Sequence, residues 1–111
     1  MKRSIKSNQR QVRIIAIRIE GSTGTPSIEG LDANLVSIVD TGVGHYTLTF
    51  SNAFAAAPHA VASCEAVDKV ATVTATASGC VVKVNDIDET AALSDGDVQL
   101  IVVGSDVTER Y

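Results

Sequence analysis

The chain has 111 residues, enough for one two-layer core but too short for that core plus a separate catalytic lobe. Thirteen acids outnumber nine bases, for a formal net charge of −4, and there is no Trp; the acidic excess would repel phosphates and no aromatic ring is interleaved with the bases, which disfavours a nucleic-acid face. No apolar run reaches the roughly 20 residues that span a bilayer, because Arg13, Arg18 and Glu20 interrupt the first one, and the N-terminal stretch lacks the apolar region and cleavage site of a secretory signal, so no membrane partner and synthesis in the cytosol are expected.

Charge divides unevenly. Residues 1–19 hold six bases (Lys2, Arg3, Lys6, Arg10, Arg13 and Arg18) and no acid, leaving three bases against all 13 acids in the remainder. Residues 1–11 cannot bury enough apolar surface to fold alone and are expected to form a basic, extended arm, followed by a single β domain over residues 12–111. Two readings of the arm stand: a solvated tail, or a segment that orders on an acidic partner through Lys2, Arg3, Lys6, Arg10 and Arg13.

The pattern then predicts seven strands. The first covers residues 12–20 and is stopped by the loop composition of residues 21–26; the second covers residues 35–39. Gly42 and Gly44 set a tight turn, after which Tyr46, Leu48 and Phe50 alternate with His45, Thr47 and Thr49, the period-two pattern of a half-buried strand. Residues 53–58 are a connection, since Pro58 disfavours helical geometry at Ala57. Further strands are predicted at residues 59–67, 70–77, 80–84 and 98–103. Seven short strands at fairly even spacing indicate an all-β fold, an antiparallel β-sandwich or a jelly-roll-like barrel.

Two of these strands are apolar on both faces. Val12, Ile14 and Ala16 alternate with Ile15, Ile17 and Ile19, and residues 98–103 behave likewise. Such strands want cover on both sides, supplied either by a neighbouring subunit or by a loop of the same chain; the first alternative makes Ile15, Ile17, Ile19, Ile101 and Val103 subunit-contact candidates.

Catalytic and metal chemistry is sparse. Cys64 and Cys80 lie 16 positions apart with no further ligand at zinc spacing, and read as two free thiols or, where the strands pair in an oxidising medium, as a disulfide. Asp86, Asp88, Asp95 and Asp97 form a loose acidic loop without the regular array of a calcium-binding loop, so no metal or cofactor is assigned. Asp40-Thr41-Gly42, closing an apolar strand, resembles the active-site triplet of retroviral-type aspartic proteases, small β dimers in which two aspartates share a proton. Val43 and Ser105 depart from that family's pattern, and an aspartate and glycine in an ordinary turn is the competing reading, so no enzyme is expected.

From Leu35 onward a second resemblance is broader. An apolar strand, then Thr41 to Phe50 with its two glycines, then Phe54, Pro58, a strand like Ala60-Val61-Ala62-Ser63-Cys64, and a late Val98 to Gly104 together resemble a small β-sandwich module of tailed-bacteriophage structural proteins, found in tail fibres and head-decorating proteins. The resemblance implies assembly or attachment, with no catalytic residues to transfer. A module standing almost alone behind a short basic arm favours a capsid decoration or cement protein over a tail-fibre or receptor-binding tip. The expected partner is the major capsid protein or another virion protein; the expected location is the virion, and three-fold positions of a shell make a homotrimer the expected form.

Overall fold

Nine residues of β1 (Val12–Glu20) alternate between two environments: Ile15, Ile17 and Ile19 are buried while Val12, Ile14 and Ala16 face outward. This is the period of two that a strand imposes on its side chains. The structure is a computed structural model and describes residues 12–21, 25–87 and 94–105.

Seven more strands follow: β2 (Ser27–Glu29), β3 (Val36–Gly42), β4 (His45–Phe50), β5 (His59–Cys64), β6 (Lys69–Ala75), β7 (Gly79–Asp86) and β8 (Val98–Ser105), with one 3-10 turn at Ala33–Leu35. They form two antiparallel four-stranded sheets, one in the order β2-β1-β8-β5 and the other β3-β4-β7-β6. The fold is therefore an antiparallel β-sandwich, with eight strands where the sequence predicts seven. The additional strand is β2. Three residues between Pro26 and Gly30 are too short to display a period; they become a strand because β1 offers an edge, pairing Arg18 with Glu29 and Glu20 with Ser27. The predicted strand over residues 59–67 ends earlier, at Cys64, where a turn over residues 65–68 carries the chain from one sheet to the other.

The strands from opposite ends of the chain lie side by side. β1 and β8 pair along eight positions, from Val12 with Ser105 to Ile19 with Val98, and occupy the centre of the first sheet. Their inward residues, Ile15, Ile17, Ile19, Val98, Leu100 and Val102, meet Tyr46, Leu48, Phe50, Val82 and Val84 of the second sheet to form one core. Among the described residues no charged side chain is buried.

At one end of the sandwich Phe50 and Phe54 pack edge to face with ring centroids 5.1 Å apart, and the Arg13 guanidinium lies 4.0 Å over the Phe54 ring. At the other end the β3–β4 turn and residues 94–97 close over Tyr46. Gly44 there has φ +62, and a Cβ on it would lie 2.5 Å from the Ser94 carbonyl oxygen. Its N–H donates to Asp95 Oδ1 at 2.9 Å and its carbonyl accepts from Val84 N at 2.8 Å.

Candidate functional site

Two residue sets, apolar and charged, share the outer face of the first sheet. Alternation along β1, β8 and β5 turns Val12, Ile14, Val61, Ile101 and Val103 to that face, and pairing sets them in adjacent rows: Ile14 beside Val103, and Ala16 beside Ile101 beside Val61. Their exposures are 59% for Val12, 57% for Ile14, 65% for Val61, 45% for Ile101 and 36% for Val103. Scattered exposed valines need no explanation, but a patch continuous over three strands does. A depression of about 130 Å³ beside it is lined by Val61, Ala62, Ser63, Gln99 and Ile101.

The next row is polar. Arg18 donates from Nε to Glu65 Oε2 at 2.6 Å, from Nη1 to Glu29 Oε1 at 2.7 Å and from Nη2 to Asp97 Oδ2 at 3.0 Å. Gln99 Nε2 donates to the same Glu65 oxygen at 2.6 Å. One guanidinium thus gathers three carboxylates from three elements, a use its planar fork of donors suits. Hydrogen bonding from Arg18, with a smaller contribution from Gln99, holds the Glu65 carboxyl below the ordinary glutamate value, and the same contacts hold the guanidinium firmly charged. Asp97 also accepts from Gly21 N at 3.0 Å, tying the end of β1 to the loop before β8.

The sequence-predicted site residues divide among three places. Lys2, Arg3, Lys6 and Arg10 lie outside the described residues. Arg13 is built into the body: beyond its contact with Phe54 it donates to the carbonyls of Asn52 at 2.8 Å and Ala53 at 3.1 Å. Ile101 and Val103 are on the outer face, 45% and 36% exposed.

Ile15, Ile17 and Ile19 are a correction. They are 0–4% exposed within a single chain and fill the core, so they have no surface to give a subunit; the outward residues of β1 are their neighbours Val12, Ile14 and Ala16. Arg18 and Glu20 share the parity of Val12, Ile14 and Ala16, and that was the signal marking the solvent side; Arg13, on the opposite parity, obscured it because its charge escapes sideways at the end of the strand. The Arg18 network was not legible at all, since its partners are 11, 47 and 79 positions away.

The remaining candidates have structural partners. Cys64 and Cys80 are free thiols on different sheets, and burial pushes the Cys80 thiol up to about 11. Asp86 accepts from Lys69 Nζ at 3.1 Å, and Asp95 from Gly44 N and, at 3.3 Å, from the Tyr46 hydroxyl; Asp88 lies outside the described residues. No group of three or more His, Cys, Asp or Glu suited to a metal ion occurs among the described residues. Asp40 Oδ1 accepts from Gly42 N at 3.1 Å within its own turn, at a bulge between β3 and β4.

The arrangement therefore offers an apolar surface with a fixed polar margin, the composition of a contact between macromolecules. No protein-family model, curated protein or solved structure matches this chain.

Proposed function

We propose that this chain is a structural protein of a tailed-bacteriophage virion, a head decoration or cement protein that stabilises the shell through its basic N-terminal segment and through contacts between copies. The observation that carries the reading is the outer face of the first sheet, apolar across β1, β8 and β5 with no described part of the chain over it. A face of this kind serves assembly, and the resemblance of residues 35–104 to phage β-sandwich modules supplies the setting. Because the Arg13 side chain is engaged within the body, contact with an acidic shell is assigned to Lys2, Arg3, Lys6 and Arg10. Fully extended, ten residues reach at most about 33–36 Å, enough to touch a neighbouring capsomer.

Deleting residues 1–10 is expected to abolish co-sedimentation with purified phage heads. It should leave the melting temperature within about 2 °C, because every core residue among the described residues lies between Ile15 and Val102. Undiminished sedimentation would sink the role of the basic segment, and antibody labelling at the tail tip would replace head decoration by the receptor-binding reading.

A further inference from the structure

Asp95-Gly96 is the sole Asp-Gly pair in the chain, which has no Asn-Gly pair. Such a pair carries its own chemistry: no side chain beside the glycine nitrogen blocks its approach to the aspartate side-chain carbon, and a loose chain turns readily into the geometry that this approach requires. In the folded chain the pair is held on every side. Ser94 N donates to the Val84 carbonyl at 3.0 Å. Asp95 Oδ1 accepts from Gly44 N at 2.9 Å and from the Tyr46 hydroxyl at 3.3 Å. Gly96, which is buried, donates from N to that same hydroxyl at 3.5 Å. The Asp97 carbonyl accepts from Glu65 N at 2.9 Å, and its two carboxylate oxygens accept from Gly21 N and Arg18 Nη2, each at 3.0 Å. Space is as restricted as bonding, since a Cβ on Gly44 would lie 2.5 Å from the Ser94 carbonyl oxygen and one on Gly21 would lie 2.6 Å from that of Gly96. The Asp95 carboxylate and the Gly96 nitrogen are thus both tied to the phenol of Tyr46, a side chain 1% exposed.

We infer that Asp95-Gly96 is a latent modification site, kept inert by the corner where the β3–β4 turn and Tyr46 meet residues 94–97, and that opening of this corner converts it to a β-aspartyl linkage that the turn cannot take back. In the first step Gly96 N attacks Cγ of the protonated Asp95 carboxyl; the N–Cγ bond forms, a Cγ–O bond breaks, and the amide proton leaves with the hydroxyl as water. A water molecule then opens the five-membered imide at the main-chain carbonyl, so that the chain runs on through the former side-chain carbonyl and a carboxylate remains on Cα. Water released in the first step balances water taken up in the second, and no oxidant or reductant is consumed. The main chain is then one carbon longer between residues 95 and 96, and the carboxylate sits one carbon nearer the backbone than the one that reaches Gly44 N. A segment wedged between Gly44 and Gly21 has no room for that extra length, so the contacts of residue 95 with Gly44 and Tyr46 are not remade. Because ring closure must first break those contacts, its rate in the folded chain follows the population of the open form.

The test keeps the full chain at neutral pH and physiological temperature, folded or in concentrated urea, and reads the linkage at residue 95 by electron-transfer mass spectrometry. In urea the β-aspartyl form is expected to accumulate at residue 95 ahead of every other aspartate. In the folded chain its rate should be at least about tenfold lower, the ratio giving the fraction open. Tyr46→Phe removes the hydroxyl that the pair shares and should raise the folded rate several-fold while leaving the rate in urea unchanged; if that variant does not fold, Gly44→Ala, which presses on the Ser94 carbonyl, should do the same. The refolded β-aspartyl chain should melt at least about 5 °C below the unmodified one. Equal rates in the folded chain and in urea, a folded rate that neither variant raises, or a modified chain that melts with the unmodified one would each overturn the inference.

Discussion

At Gly44 two requirements coincide. Its φ of +62 belongs to the left-handed region, which costs an L side chain about 1–2 kcal/mol, and a Cβ would also press on the Ser94 carbonyl at 2.5 Å and the Val84 carbonyl at 2.8 Å. Neither neighbour is a flexible side chain that could yield. Gly44→Ala is therefore expected to lower the melting temperature by on the order of 10 °C, whereas Val43→Ala, one position earlier on an exposed tip, should change it little. Equal melting temperatures for the two variants, measured by circular dichroism, would refute this account of the turn. The glycines were legible in the sequence as a turn; what the turn touches was not, because Asp95 stands 51 positions away.

Glu65 carries a second residue-scale consequence. Its folded-state value lies below the ordinary 4.5, chiefly through Arg18, so its contribution to stability is present above that unfolded value and is lost as pH falls through the lower folded one. Between pH 7 and pH 3 the unmodified chain should lose melting temperature more steeply than Glu65→Gln, with the difference appearing only below about pH 4.5. Parallel curves would mean that the ion pair does not contribute.

At the scale of elements, β1 decides most. Its nine residues could have buried either parity, since both are apolar over most of their length. The pairing with β8 and the Arg18 contacts with Glu65, Glu29 and Asp97 fix Ile15, Ile17 and Ile19 inward. A one-residue slip would send Arg18 into the core, where an unpaired charge is costly, so the register is specified by charge as much as by shape. Ile15→Ala should then cost about 2–5 kcal/mol, the range for emptying a packed aliphatic position. Ile14→Ala, its neighbour, should cost less than about 1 kcal/mol in the isolated chain. Urea titration of both variants reads the difference, and similar losses would contradict the assigned parity. The edge of β1 not covered by β2 is also protected: Ala16 N donates to Asp32 Oδ2 at 2.9 Å, so a carboxylate sits where another strand would otherwise pair.

Over the whole molecule, the uneven charge seen along the sequence becomes an uneven charge in space. Residues 12–20 run the length of the first sheet, so Arg13 at its start lies at one end, while the turns that hold most of the described acids converge at the other. Lys69 and Lys83 also sit at the acidic end, Lys69 bound to Asp86, and offset only part of its charge. Such a molecule orients in the field of a charged surface.

The sequence by itself determined the local terms: strands where apolar and polar residues alternate, turns where Gly42, Gly44 and Pro58 stand, an all-β fold open between a sandwich and a jelly-roll-like barrel, and a basic beginning to an acidic chain. Those properties belong to neighbours along the backbone, which is why composition and period reveal them. Only the tertiary structure decided which parity of β1 is buried, that Ser27–Glu29 is a strand, that Arg18 binds three distant carboxylates, and that the strands from the two ends of the chain lie together at the centre of one sheet. Each of those depends on contacts between residues far apart in sequence, and a face that is apolar on both sides of a strand becomes an outer surface only once the opposite sheet has taken the other.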